Sequence, residues 1–284
     1  MQDLLSIVIS GLLMGAIYAL LAGGLTLIWG VTRIINLAHG EFLMLGAFGT
    51  YYLFGAVGGV PLLAIPLLAP LFFAFGVVVY LLIIRRIVNA PELMSLLLTF
   101  GLSIFLINVS VMVWSGEMRI VSYVTGSISI DGVLISKARL IAGSIAILIS
   151  LGMFLFLQKT RLGQAVRAVS YDRNIAEQCG INSGRVYLLV FGLGTVLAAT
   201  AGSLASTIFA FNPLIGQQFM LKAFAITVLG GMGNFMGALL AAFILGVVEQ
   251  VTTFVIDAQV ASVVAFVVII LTLLFRPHGI LGSR

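Results

Sequence analysis

The stretch Trp29-Gly30-Val31-Thr32-Arg33-Ile34-Ile35-Asn36-Leu37-Ala38-His39-Gly40-Glu41-Phe42 sets an arginine, an asparagine, a histidine and a glutamate between two long apolar runs, residues 4–29 and 37–57. A transmembrane helix needs about 20 mainly apolar residues. Runs of that order recur at 61–83, 93–114, 139–157, 186–210, 218–235, 237–256 and 259–275. Of the 284 residues, 62% are hydrophobic and only 8% charged, whereas roughly a quarter of an average soluble domain is charged. Backbone groups inside a bilayer must be satisfied internally, so only helices or closed barrels span it, and barrel-type alternation is absent. The expected fold is all-α: one membrane domain over residues 1–284, a polytopic helix bundle of eight or nine transmembrane segments, some broken or re-entrant.

The charges mark the loops. Positively charged loops stay on the cytoplasmic side. Arg85 and Arg86 form one basic cluster, and Lys159, Arg161, Arg167, Arg173 and Arg185 a larger one. With Arg33, Arg276 and Arg284 on the same side, ten of the 14 basic residues are inside. Arg119, Lys137, Arg139 and Lys222 are then outside or near the outer boundary. The C-terminus is expected in the cytoplasm and, for nine spans, the N-terminus outside. Met1-Gln2-Asp3 offers no basic n-region, so the first span is expected to be retained. The high pI, near 9.7, follows from this layout, with interaction with the anionic headgroups of a lipid bilayer as a secondary effect, and no nucleic-acid partner is expected. The single cysteine, Cys179, permits neither an intramolecular disulfide nor a cysteine metal site.

A second interruption, Gly230-Gly231-Met232-Gly233-Asn234-Phe235-Met236-Gly237, falls in the other half of the chain. Two readings stay open for both interruptions. Each could be a tight loop. Alternatively, paired breaks in the two halves of a transporter point to the translocation path, which makes Asn36, His39, Gly40, Glu41, Gly230, Gly231, Gly233 and Asn234 its candidate residues. Asn36 and His39 share a helix face by their spacing and Glu41 points elsewhere, and His39-Gly40-Glu41 is no zinc motif, so no metal is expected. Glu249 lies in an apolar run and is read as sitting at the outer interface beside Gln250. Small-residue pairs such as Gly11-x-x-x-Gly15, Gly55-x-x-x-Gly59 and Gly233-x-x-x-Gly237 suit close helix packing. In the external connection, residues 115–138, Val121-Ser122-Tyr123-Val124 and Ser127-Ile128-Ser129-Ile130 read as a short strand pair ending at Asp131-Gly132.

The longest polar stretch, inside the cytoplasmic loop 158–185, has helical composition. Leu162, Val166, Val169 and Ala176 interleave with charge before Gly180 ends it. No Gly-x-x-x-x-Gly-Lys-Ser/Thr phosphate loop occurs, and no nucleophile has an evident paired base. A transport subunit, not an enzyme, is expected. An ion-coupled secondary carrier using Glu41, Glu249 or unwound backbone is the rival reading.

Within that loop, Arg167-Ala168-Val169, Asp172, Ala176 and Gly180-Ile181-Asn182 resemble the coupling loop of permeases of branched-chain amino-acid ABC transporters, the LivH/LivM type. Asn36-Leu37-Ala38-His39-Gly40-Glu41-Phe42 resembles the N-terminal motif of the LivH branch, residues 223–237 its Gly-rich second-half motif, and Arg276-Pro277-His278-Gly279-Ile280-Leu281-Gly282 its usual ending. The likeness covers essentially the whole chain. It implies a permease subunit of the bacterial inner membrane that imports branched-chain amino acids. Its implied partners are a second, LivM-like permease, two cytoplasmic ABC ATPases and a periplasmic substrate-binding protein. The chain would bind no cofactor itself, ATP being used by the ATPases. Arg161, Gly163, Arg167, Asp172, Ala176, Gly180 and Ile181 would carry the coupling. Permeases for urea and short amides share the resemblance.

Overall fold

The computed structural model describes residues 2–58, 60–88, 90–130, 133–276 and 278–281. Eleven α-helices account for most of them: α1 Gln2–Thr32, α2 His39–Val57, α3 Ala64–Leu82, α4 Glu92–Trp114, α5 Lys137–Lys159, α6 Arg161–Tyr171, α7 Arg173–Gln178, α8 Ser183–Ala205, α9 Ile215–Gly230, α10 Phe235–Val255 and α11 Ala258–Phe275. The nine apolar runs correspond one to one with α1 to α5 and α8 to α11. Seven of these helices are long and apolar enough to cross a membrane, and α9 is a shorter apolar helix. The chain is a multi-pass membrane protein.

Two helices form the centre. Of the apolar stretch of α8, 78% is buried inside the chain, against 17% for α11. Around α1 pack α5, α8, α9 and α10, while α2 and α3 pack on α8. The closest crossing is glycine-made. A Cβ on Gly11 would fall 2.7 Å from the Cα of Val247, and one on Gly15 would fall 2.7 Å from the carbonyl oxygen of Ala242. Gly246 meets the same surface from the α10 side. Lipid tails are as apolar as leucine, so helix association in a bilayer depends on close packing. The expected role of Gly11 and Gly15 holds, whereas Gly55 has nothing near it and Gly59 lies outside the described residues.

The two ends differ in chemistry. At one end, Arg33 reaches Ser170 of α6, and Leu281 at the C-terminal side reaches Asn234. This is the end of Lys159, Arg161 and Arg167. At the other end Ser6 Oγ donates to the Leu134 carbonyl at 2.5 Å, beside a two-stranded antiparallel hairpin. Its strands are β1 Ser127–Ile130 and β2 Val133–Ser136, in the register Ser127↔Ser136. This corrects the expected pairing of 121–124 with 127–130. The backbone of the 115–124 segment is engaged elsewhere: Val121 donates to the Ser206 carbonyl at 3.0 Å, and Arg119 and Phe211 exchange both backbone bonds. β1 therefore pairs forward, across Asp131 and Gly132, which lie outside the described residues. Arg119 pins this surface, with its guanidinium on the Trp114 carbonyl at 2.6 Å, on the Tyr52 hydroxyl, and over the rings of Phe48, Tyr51 and Tyr52.

Candidate functional site

Between α1 and α2 the backbone turns back into the bundle. Arg33 ends α1 in the left-handed region (φ 58°), uncommon for a non-glycine residue, with its guanidinium 4.9 Å from the Trp29 ring centroid. Residues 33–38 then lead back to a second helix start well below the end of the first. His39 lies against Leu21 and Gly24 of α1. At 1.5 Å per residue, α1 runs roughly 12–16 Å beyond that level. This segment is a genuine interior break.

Its polar side chains are enclosed. Asn36 and His39 are 0% exposed and Glu41 1%. His39 Nε2 lies 3.0 Å from the Leu21 carbonyl oxygen. That oxygen can only accept, so Nε2–H donates to it. Glu41 Oε1 accepts from Ser103 Oγ at 3.0 Å. Asn36 Oδ1 and Nδ2, His39 Nδ1 and Glu41 Oε2 have no partner. Most buried polar groups are hydrogen-bonded, so each exception calls for a reason. Gly40 crosses Gly216 of α9 with backbone in contact, and a Cβ on Gly216 would lie 2.5 Å from Glu41 Oε2. Only glycine at both positions lets the carboxyl settle there.

The sequence reading missed the cover over this break. Ser95, Thr99, Ser103, Ile107 and Ser110 form the buried stripe of α4, at the spacing of one helix face. Thr99 Oγ1 donates to the Ile35 carbonyl at 3.1 Å and Ser103 reaches Glu41. The available signal was the four-residue spacing of hydroxyls in an otherwise apolar helix.

The second interruption is a tight turn. Gly231 and Gly233 have φ of 97° and 87°, which glycine adopts at no steric cost. Asn234 caps α10 by accepting from Gly237 N at 3.0 Å and donates to the Leu281 carbonyl at 2.7 Å. Ile280 N donates to the Leu229 carbonyl at 2.8 Å, so the C-terminal segment closes the turn. Gly230 and Gly237 touch, and Gly233 sits on Gly30 of α1. This turn is not beside Glu41. Gly40 and Glu41 meet the first turn of α9 at Gly216, and Gly230 ends that helix roughly 21 Å further on.

The turn lines a cavity of about 360 Å³ together with Thr26, Gly30, Arg33, Arg167, Ser170 and Leu281. Of the coupling candidates, Arg167 shares this cavity with the second Gly-rich turn.

α6 is anchored against α5. Thr160 caps it by accepting from Gly163 N at 3.0 Å, and Gly163 rests on the carbonyls of Phe156 and Leu157. Val166, Val169 and Ala176 are buried. Leu162 is 55% exposed, because Gly163 is the residue in contact with α5. Asp172 caps α7 by accepting from Ile175 N at 3.0 Å, Ile181 N donates to the Ala176 carbonyl at 3.0 Å, and Gly180 has φ 83°. Arg161 and Arg167 are exposed, with Tyr171 at 90% and Ile175 at 57%. Glu177 accepts from Ser183 Oγ at 2.5 Å and from Arg173 Nε at 2.9 Å. The Ser183 hydroxyl and then Arg173 hold its carboxyl below the usual range.

Lys222 and Glu249 are partners, a pairing the sequence reading did not include: Lys222 Nζ on α9 is ion-paired with Glu249 Oε1 on α10 and donates to the Tyr18 hydroxyl of α1 at 3.0 Å. Among the described residues no group of three His, Cys, Asp or Glu side chains could hold a metal.

A family model described as branched-chain amino acid transport system / permease component matches residues 7–273. The chain is 35% identical to the high-affinity branched-chain amino acid transport system permease protein BraD of Pseudomonas aeruginosa, over 96% of this chain and 94% of that one. It is 33% and 32% identical to LivH of Salmonella typhimurium and of Escherichia coli, named as permease proteins of the same kind of system, with the same coverage. Among solved structures, PsaBC from Streptococcus pneumoniae in complex with Fab aligns over 95% of this chain at 14% identity and a TM-score of 0.47, too distant to bear on the fold. The chain belongs to the family of permease components of branched-chain amino acid transport systems.

Proposed function

We propose that this chain is the membrane permease subunit of an ATP-binding cassette importer for branched-chain amino acids. The observation that carries it is the match to the family over residues 7–273. The chain forms the path with a second, homologous LivM-like permease, and two cytoplasmic ATPases and a periplasmic binding protein complete the assembly. It binds no cofactor; the ATPases consume ATP. Support for the ATPase contact comes from α6 and α7, whose Leu162, Tyr171 and Ile175 are exposed beside Arg161 and Arg167. Apolar anchors rimmed by charge suit a protein interface. The basic end with α6 and the C-terminus then faces the cytoplasm of a bacterial inner membrane, and the hairpin end with Arg119 faces the binding protein.

Motion of the ATPases reaches the bundle through Gly163 on α5, and through Arg33 and Ser170 to the end of α1. Asn36, His39, Gly40 and Glu41 line the path where α2 begins, and their unpartnered atoms gain partners as the permease changes state. Gly230, Gly231, Gly233 and Asn234 act at the cytoplasmic mouth. The test is ATP-driven uptake of labelled leucine by vesicles holding the complete assembly, with and without Arg167→Glu. Uptake that requires ATP and collapses in the variant supports the reading. Uptake that follows an imposed ion gradient and ignores ATP refutes it, and uptake of urea or short amides in place of leucine refutes the substrate.

A further inference from the structure

α9 runs alongside α1. The Phe219 ring packs edge-on to Tyr18 at 5.8 Å, and Thr227 Oγ1 lies 3.1 Å from Thr26 Oγ1. Tyr18 is near the middle of the 31-residue α1, so the start of α9 is near mid-depth in the bundle. There α9 exposes a strip of Leu214, Gln217, Gln218 and Leu221, the spacing of one helix face. The exposed face of α11 is apolar, from Val263 through Phe266 and Ile270 to Leu274. Lipid accepts that face, but a pair of exposed glutamines at mid-depth needs water, protein or ligand.

Beside this strip sits the Lys222–Glu249 pair, each side chain 18% exposed. The ammonium lies 4.9 Å from the Tyr18 ring centroid and 5.7 Å from that of Phe219. Charges inside a membrane are costly and mark function by default. The pair joins α9 to α10, and Lys222 also reaches the Tyr18 hydroxyl of α1.

We propose that the Lys222–Glu249 pair, with Gln217 and Gln218 beside it, is where the permease holds the head group of a zwitterionic amino acid, Lys222 taking its carboxylate and Glu249 its ammonium. This rests on the proposed amino-acid substrate. With the site empty, the two charges neutralise each other. An arriving zwitterion exchanges one internal pair for two external ones, so neither protein charge is left bare in an apolar setting, the arrangement that costs most. The glutamine amides supply further donors and acceptors, and Leu214 and Leu221 offer apolar surface to the branched side chain.

The experiment is ATP-driven leucine uptake by the complete reconstituted assembly, expressed per copurified complex, for Lys222→Met, Glu249→Gln and the exchange Lys222→Glu with Glu249→Lys. Each single variant should lower uptake at least tenfold, and the exchange should restore assembly without restoring uptake, because the two charges are then reversed relative to the apolar strip. Uptake restored by the exchange overturns the proposal and makes the pair a structural tie, as does full uptake by either single variant. Should the charge variants fail to assemble, Gln218→Leu decides: it leaves the pair intact, and reduced uptake supports the site whereas unchanged uptake overturns it. A wild-type assembly that takes up no leucine overturns the substrate reading itself, a result separable from all of these.

Discussion

Replacing Gly163 by alanine tests the anchoring of the proposed coupling helix. A Cβ there would fall 2.5 Å from the Leu157 carbonyl oxygen and 2.6 Å from its Cα. Both atoms are backbone, so no rotamer change relieves the clash, and reaching ordinary contact near 3.4 Å separates α6 from α5 by almost an ångström. Overpacking of this kind costs about 1–3 kcal/mol, and the rigid contact places the cost at about 3. Alanine returns about 1 kcal/mol through helix propensity. The net, about 2 kcal/mol, shifts the docking equilibrium of α6 about 30-fold. Hydrogen exchange should show α6 amides exchanging faster by that factor, and ATP-driven uptake and ATPase copurification should fall with it. Gly101→Ala is the control: nothing lies within 4 Å of that site, so it should be neutral or slightly stabilising. Wild-type exchange, uptake and copurification in Gly163→Ala would refute the anchoring argument.

Ser103→Ala leaves both oxygens of the buried Glu41 carboxyl unpaired and should destabilise the chain by about 1–3 kcal/mol. Thermal unfolding in detergent measures it, with Ser110→Ala on the same stripe of α4 as the comparator; equal midpoints would contradict it. Asn234→Ala removes the cap on Gly237 N and the bond to Leu281, costing about 1–2 kcal/mol, and should expose the C-terminal segment to carboxypeptidase. Protection equal to wild type would show that the segment is held by other contacts. The Glu177 carboxyl titrates below its usual range, so its contribution to holding α7 on α8 is present above that range and lost as pH falls through the folded value. Proteolysis within α7 should therefore rise only in acid, and Glu177→Gln should remove the acid-specific increase; an increase between pH 6 and 8 would reverse the argument.

The helices were legible because hydrophobic runs of membrane length admit few other structures, and nine runs became α1 to α5 and α8 to α11. The helix starts follow local rules as well: Thr160, Asp172, Asn182 and Asn234 each accept the N–H three residues on. Long-range partners were not. Lys222 and Glu249 are 27 residues apart on different helices, and each alone reads as a boundary charge. The strand pair went wrong for the same reason: nothing local to 121–124 announces that Ser206 and Phe211 take its neighbours' backbone groups. Nor does apolar character show which side of α6 meets α5: Leu162 is exposed, and Gly163 makes the contact because it has no side chain.

The two Gly-rich interruptions resembled each other in sequence, and their hydrogen bonds separate them. At residues 230–237 the turn is satisfied by the Asn234 cap and by Ile280 and Leu281, so it carries little desolvation cost. At residues 36–41 four polar atoms are buried without partners, and each costs about 1–3 kcal/mol in desolvation. A structural turn could shed that cost by substituting apolar residues of similar shape. That the chain keeps it where α2 starts inside the bundle, covered by α4 hydroxyls that satisfy only part of the break, is what sets the first interruption apart from the second and is the physical support for the path proposed there.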